Sequence, residues 1–320
     1  MNYTIATIAP IFLLPFFAFV INCILIKKVP KIVPWISIAG IVGAFFFALT
    51  IFIDFMTVYN TDYYIHKVFN WIDISHGDNI FKINLGVYID NMTAIMLLMV
   101  TAVASLIHIF SLWYMKGDLR WERFFLYLSL FTAAMLGLVL SDNLLSVFMF
   151  WEVMGFCSYS LIGFYFEKEE AGNASLKAFM TTRVGDVFFL LGILAIWSVV
   201  GSVDFPSIYE AIANGDFTGM KIFGMSLVTF SAFCIFCGTI GKSAQFPLQV
   251  WLPDAMMGPT PCSALIHAAT MVAAGVYLSL RAYPLIYAGE LNLLIAYIGG
   301  ITAFGAATIA IIQKDLKAVL

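Results

Sequence analysis

Residues Gly238–Leu280 read GTIGKSAQFPLQVWLPDAMMGPTPCSALIHAATMVAAGVYLSL. They parse as two apolar helical segments, the first carrying Lys242 and broken near Pro247, the second opening at Pro261 and carrying His267. Proline lacks an N–H and its ring collides with the carbonyl four residues back, so Pro247 is expected to free the Ser243 carbonyl beside Lys242. Interrupted backbone at membrane depth survives only where protein buries it or water reaches it, and a lysine there is by default a functional residue with a partner to be found. Ser243 and Gln245 supply hydroxyl and amide groups for such waters, and Glu152 is the partner expected for Lys242. Thr260 is placed as an N-cap with Pro261 at the first helical position.

Working outward, 62% of the 320 residues are hydrophobic and 11% charged, against about 45–50% and about 25% in soluble domains. The chain therefore reads as an all-α integral membrane protein, a multi-span helical bundle. A net charge of −3 argues against a nucleic-acid surface or a polybasic lipid-binding tail. The cysteines Cys23, Cys157, Cys234, Cys237 and Cys262 fall in apolar segments and read as small buried residues; Cys234 and Cys237 have no second pair to complete a metal site. The N-terminus lacks the charged n-region and cleavage site of a signal peptide and reads as a first span.

Runs long enough to cross a ~30 Å hydrocarbon core lie at roughly residues 4–26, 32–56, 87–113, 122–140, 143–166, 175–200, 223–251, 261–283 and 291–312, with a tenth beginning near Asp315. Lys27, Lys28, Lys31, Lys116, Arg120, Arg123, Lys168, Lys177, Lys314 and Lys317 fall on one side, and Lys67, Lys82, Lys221 and Arg281 on the other. That bias puts the first side in the cytoplasm and the N-terminus outside. Residues 57–86, with Asp62, His66, Asp73, His76 and Asp78, read as a solvated external loop without metal-ligand spacing. His108 reads as a hydrogen-bonded core histidine.

Four ionisable groups remain at interior depth. Glu152 lies ten residues beyond Asp142 in the Ser141-Asp142-Asn143 cap-like cluster, about 15 Å along a helix. In KAFMTTRVGDVFF, Lys177 precedes Arg183 and Asp186, which are i, i+3 neighbours and read as a self-neutralising pair. Lys242 follows, then His267, flanked by Ser263 and Thr270 on one face. An imidazole exchanges protons near neutrality. One such group is weak evidence, but Glu152, Asp186, Lys242 and His267 on successive helices describe an ion or proton relay. A bundle whose buried charges only lock packing is the competing reading. Asp315 and Lys317 read as interfacial anchors or the start of a second relay.

At these residues the sequence resembles a known family. WEVMGFCSYSLIGFYF around Glu152, KAFMTTRVGD ending at Asp186, GKSAQFPLQVWLPDAMMGPTP around Lys242 and SALIHAATMVAAGVYL around His267 are similar to the antiporter-like membrane subunits of proton-pumping NADH:quinone oxidoreductase, respiratory complex I, and among them most like subunit L (chain 5). The resemblance is dense from about residue 85 to 320. It implies that Glu152, Asp186, Lys242 and His267 form the proton relay, with Lys177, Arg183, Ser243, Pro247, Thr270, Asp315 and Lys317 in support. It also implies three parts: spans 1–3 with the loop 57–86 in residues 1–120, a five-helix antiporter repeat (spans 4–8) in residues 121–283, and the start of a truncated second repeat in residues 284–320.

The function implied is proton translocation driven by redox chemistry in partner subunits, in a bacterial or organellar inner membrane. No cofactor or metal is expected in this chain; NADH, FMN, iron–sulfur clusters and quinone belong to the partners, and antiporter-like neighbours and lipid are the expected contacts. An Mrp-type cation/proton antiporter subunit and the membrane subunit of an energy-converting hydrogenase share these motifs and remain alternatives.

Overall fold

The computed structural model describes residues 5–58, 63–76, 79–217, 219–222 and 224–319. Two long apolar helices, α1 (Ile5–Leu25) and α2 (Val33–Val58), lead into a hairpin of β1 (Tyr64–His76) and β2 (Asn79–Ile89). Then come α3 (Asn91–Tyr114), α4 (Trp121–Leu140), α5 (Leu144–Ile162), α6 (Glu169–Val200) and a short amphipathic α7 (Phe205–Asn214). A two-residue hairpin, β3 (Lys221–Ile222) and β4 (Met225–Ser226), precedes α8 (Leu227–Lys242). The interrupted region follows, with 3-10 turns at Gln249–Trp251 and Asp254–Met257. The described chain closes with α9 (Thr260–Ala268), α10 (Met271–Arg281), α11 (Tyr283–Ala288), α12 (Asn292–Ile312) and α13 (Leu316–Val319). Among the described residues, eight helical segments are long and apolar enough to span a bilayer, α9 and α10 counting as one. The chain is a multi-pass membrane protein.

The expected spans are recovered with three corrections. Within the stretch 57–86, read as a solvated external loop, the described residues form a hairpin: β1 and β2 pair antiparallel from Tyr64↔Ile89 to His76↔Asn79, and the third span starts at Asn91 because β2 takes the preceding residues. Asp62 and Asp78 lie outside the described residues. The seventh span is only 16 residues, about 24 Å, because α8 stops at Lys242, five residues before Pro247. The span expected at 261–283 is interrupted between α9 and α10.

The core sits where α4 meets α5 and α6 meets α8. α4 is enclosed, with Phe124 to Leu140 almost entirely buried, so it acts as the axis around which its neighbours pack. Cap chemistry sets several starts. Asp90 accepts from the Thr93 N–H at 2.8 Å to open α3, Asn143 from Ser146 N–H at 2.7 Å to open α5, and Ser226 from Thr229 N–H at 3.1 Å to open α8. Thr260 is the first residue of α9, not its cap, and its hydroxyl meets Tyr114 at 3.0 Å. Cys157, Cys234 and Cys262 are buried as expected, whereas Cys23 is exposed and Cys237 half-buried. His108 is fully buried, its Nδ1 2.7 Å from the Ala104 carbonyl oxygen.

A charge quartet beside an interrupted helix

The end of α8 is built by its own backbone. Ala244 adopts φ +49, and Gln245 N–H donates to the Ile240 carbonyl at 3.0 Å, the pattern that closes a helix through one left-handed residue. Trp251 Nε1 donates to the Gly241 carbonyl at 3.0 Å, and Gln245 Nε2 to the Ser243 carbonyl at 3.2 Å. The freed carbonyls expected at Pro247 are thus already taken up around Ser243. Lys242 is left as the last helical residue, at the end where the helix dipole favours a cation.

Lys242 is 1% exposed, and its Nζ lies 3.4 Å from Asp186 Oδ2, whose side chain is also 1% exposed. This pairing follows from small neighbours. A Cβ on Gly185 would come within 2.7 Å of the Cys237 carbonyl, and one on Gly241 within 3.2 Å of the Thr182 carbonyl. Bare backbones let α6 and α8 touch, as small residues do between membrane helices, and the next residue on each helix is Asp186 or Lys242. Asp186 Oδ1 in turn accepts from Trp151 Nε1 at 2.6 Å.

Glu152, expected to face Lys242, instead bonds the Arg183 guanidinium, with side-chain exposures of 23% and 35%. Arg183 also stacks over Phe179 at 4.5 Å. The i, i+3 pair expected between Arg183 and Asp186 is therefore replaced by two crosswise pairs, Glu152–Arg183 and Asp186–Lys242. Residue spacing gives a position along a helix but no azimuth, so it does not say which acid meets which base. The signal that resolves it is the pair of dipeptides Gly185-Asp186 and Gly241-Lys242, together with Trp151.

His267 is set apart from the quartet. It is the second-last residue of α9 and lines a cavity of about 670 Å³ with Ser243, Gln245, Gln249, Ser263 and Lys317. His267 Nε2, Ser263 Oγ and Gln249 Oε1 are buried there without a protein partner. Thr270 does not extend the Ser263–His267 stripe, because its hydroxyl turns back to the Leu265 carbonyl at 2.8 Å across the interruption. Ser243 Oγ donates to the Val272 carbonyl at 2.8 Å, tying the end of α8 to α10. Lys317 Nζ donates to the Met256 carbonyl at 2.8 Å, and Asp315 Oδ1 accepts from Lys317 N–H at 3.0 Å, opening α13. Lys177 lies two turns inside α6 and pairs with Asp254 at 2.6 Å. No group of three metal-ligating side chains occurs among the described residues.

Arg281 was read only as a loop charge, yet it is buried and central to the opposite end of the bundle. It donates to Asp90 at 2.6 and 3.2 Å, to Thr93 Oγ1 at 2.7 Å and to Tyr277 OH at 2.7 Å, while Tyr277 OH donates to the Val139 carbonyl at 2.8 Å. Burial alone would raise the Asp90 carboxyl, but the Arg281 charge and donors, with the Thr93 N–H, more than offset it and hold the group below its ordinary value.

The family described as "NADH:quinone oxidoreductase/Mrp antiporter, TM" matches residues 141–320, and "NADH-Ubiquinone oxidoreductase (complex I), chain 5 N-terminus" matches residues 71–125. Chloroplastic NAD(P)H-quinone oxidoreductase subunit 5 of Cryptomeria japonica is 53% identical over 241 residues, covering 75% of this chain and 32% of the relative. That of Phaseolus vulgaris is 44% identical over 292 residues, covering 91% and 38%. The chain thus spans about a third of the length of the curated relatives it matches. The fold recurs in the structure of the Mrp complex from Dietzia sp. DQ12-45-1b, with TM-score 0.79 and 24% identity over 98% of this chain and 32% of the other. It recurs again in the membrane-bound sulfane sulfur reductase, an archaeal respiratory membrane complex, with TM-score 0.80 and 20% identity over 97% and 61%. With more than half of its residues matched by one family model and residues 71–125 by a second, this chain belongs to the NADH:quinone oxidoreductase/Mrp antiporter transmembrane family.

Proposed function

We propose that the chain is a proton-translocating membrane subunit of an NAD(P)H:quinone oxidoreductase, seated in a bacterial cell membrane or an organellar inner membrane. The observation that carries this reading is the Lys242–Asp186 pair at the end of an interrupted helix, one residue from a cavity wall that bears His267. Glu152, Arg183, Asp186 and Lys242 are two acids and two bases, a quartet that stays neutral when its partners exchange. Opposed to ionised Asp186, Lys242 keeps its proton. When Arg183 leaves Glu152 for Asp186, its i+3 neighbour on α6, Lys242 is left facing Glu152 at Coulombic range; once Glu152 takes up a proton, Lys242 has no counter-charge and releases its own proton past Ser243, so the quartet stays neutral. Buried polar atoms without protein partners are met by ordered water, so His267, Ser263 and Gln249 are the groups that carry the proton onward through the cavity.

Moving one charge against the membrane potential takes about 2.3 kcal/mol per 100 mV. On this reading NADH, FMN, iron–sulfur clusters and quinone chemistry in partner subunits supply it, and antiporter-like neighbours flank the chain. The 44–53% identity to subunits named NAD(P)H-quinone oxidoreductase favours this over an Mrp-type antiporter or the membrane arm of an energy-converting hydrogenase. The test is to isolate the native complex from its membrane and assay NAD(P)H-driven proton uptake by reconstituted vesicles. Quinone-dependent uptake that persists without sodium is expected. Transport that requires sodium, or co-isolation with a nickel–iron subunit in place of quinone reductase, overturns the assignment.

A further inference from the structure

Tryptophan in membrane proteins concentrates at the lipid–water interfaces, yet Trp151 lies eight residues into the 19-residue α5 and is fully buried. Its indole touches both members of the central ion pair. Nε1 donates to Asp186 Oδ1 at 2.6 Å, and Lys242 Nζ stands 5.7 Å from the ring centroid, within cation–π range. One helical turn on, at i+4 and so on the same face, Gly155 leaves a gap: a Cβ there would sit 2.7 Å from Lys242 Nζ. Phe189 packs edge-on against the indole at 5.4 Å and fixes its plane.

The two contacts of Asp186 are unequal. Its bond to the indole is short, whereas Lys242 stands off at 3.4 Å from Oδ2, an oxygen with no hydrogen-bond donor. An unrestrained ammonium–carboxylate pair closes to about 2.7–2.9 Å. We propose that Trp151 is a positioning residue for the relay: its N–H anchors Asp186 on one carboxylate oxygen while Trp151 and Gly155 form a saddle that holds the Lys242 ammonium at a distance from which it can leave. This rests on the transport reading above. Without the indole N–H, the carboxylate turns to Lys242 and the pair tightens, retaining the proton. The charged groups that face Asp186 are Lys242 from α8 and Glu152 from α5 at Coulombic range, while Arg183 on its own helix is paired with Glu152.

The test uses Trp151→Phe in the assembled complex in native membranes, beside Lys242→Met and wild type. Hydrogen bonds to charged groups are worth about 1.5–3 kcal/mol, so proton uptake in Trp151→Phe should slow by about tenfold or more. The pH–rate profile should move to higher pH by about one unit, with complex abundance unchanged; a packing role alone would lower abundance and leave the profile in place. If the phenylalanine variant does not assemble, site-specific benzothienylalanine, which keeps the bicyclic shape and lacks the N–H, takes its place with the same expected shift. An assembled variant whose rate and pH profile superpose on wild type, while Lys242→Met is inactive, overturns the positioning role alone. A Lys242→Met complex that pumps normally overturns it together with the transport reading.

Discussion

Asp186 and Glu152 are both carboxylates at membrane depth, and their surroundings make them unequal. Asp186 is the only acid within ion-pair distance of Lys242 among the described residues, and both groups are enclosed; removing one member of a buried pair costs about 3–5 kcal/mol because the other charge is stranded. Glu152 serves Arg183, which is a third exposed on the surface of the isolated chain. Asp186→Asn should therefore reduce complex assembly or proton uptake more severely than Glu152→Gln, as read by native gel electrophoresis and vesicle acidification; the reverse order would contradict the pairing. The four residues stood out in the sequence by their rarity in apolar spans. Which acid meets which base was not legible, since that depends on how closely α6 and α8 approach. The glycines at 185 and 241 decide it, and an isolated glycine in an apolar run has many other reasons to be there.

At the scale of elements, the interruption after Lys242 was foreseen from Pro247, but its mechanism was not: α8 ends on the left-handed Ala244, not on the proline. The second interruption, between α9 and α10, had no glycine or proline to announce it. There a threonine hydroxyl, Thr270 Oγ1, competes for a backbone carbonyl, which short polar side chains do locally and which periodicity cannot register. The β1–β2 hairpin was likewise hidden in a polar stretch. It is fastened to the α4–α5 turn by Gly86 N–H donating to Asp142 Oδ1 at 3.1 Å and by Asn143 Nδ2 donating to the Asn84 carbonyl at 2.8 Å. Burial, reinforced by the Asp204 carboxylate, pushes the Asp142 carboxyl up to about 6, against the lowering hydrogen bonds from Asn143 and Gly86. A folded-state value above the unfolded one means that this turn is most stable below about 3.9, the ordinary value, and loses that contribution as pH rises through about 6. Amide exchange at residues 84–86, corrected for its intrinsic rate, should be faster at pH 7.5 than at pH 5, and Asp142→Asn should abolish the difference. Equal protection at both pH values in the unsubstituted protein would refute it.

Across the whole molecule, the bundle is pinned at one end by Arg281 and left open at the other. The Arg281 network joins α3, α4 and α10 and, through the Tyr88 ring 4.5 Å from the guanidinium, β2, so Arg281→Ala should destabilise the complex by about 3 kcal/mol, visible as a lowered midpoint of thermal dissociation. An unchanged midpoint would show the network to be dispensable. At the open end α12 has no buried residue, and it meets the interruption through Phe246 N–H donating to Thr302 Oγ1 at 2.9 Å. The proposed relay thus sits between the Arg281 network and the exposed helix α12. The most direct measurement of that account is proton uptake by vesicles containing the assembled complex with Lys242→Met. The account predicts uptake per assembled complex reduced by at least about tenfold, since the group that holds the proton is gone, with abundance lowered because Asp186 is left without its partner. Uptake at the wild-type rate would contradict it.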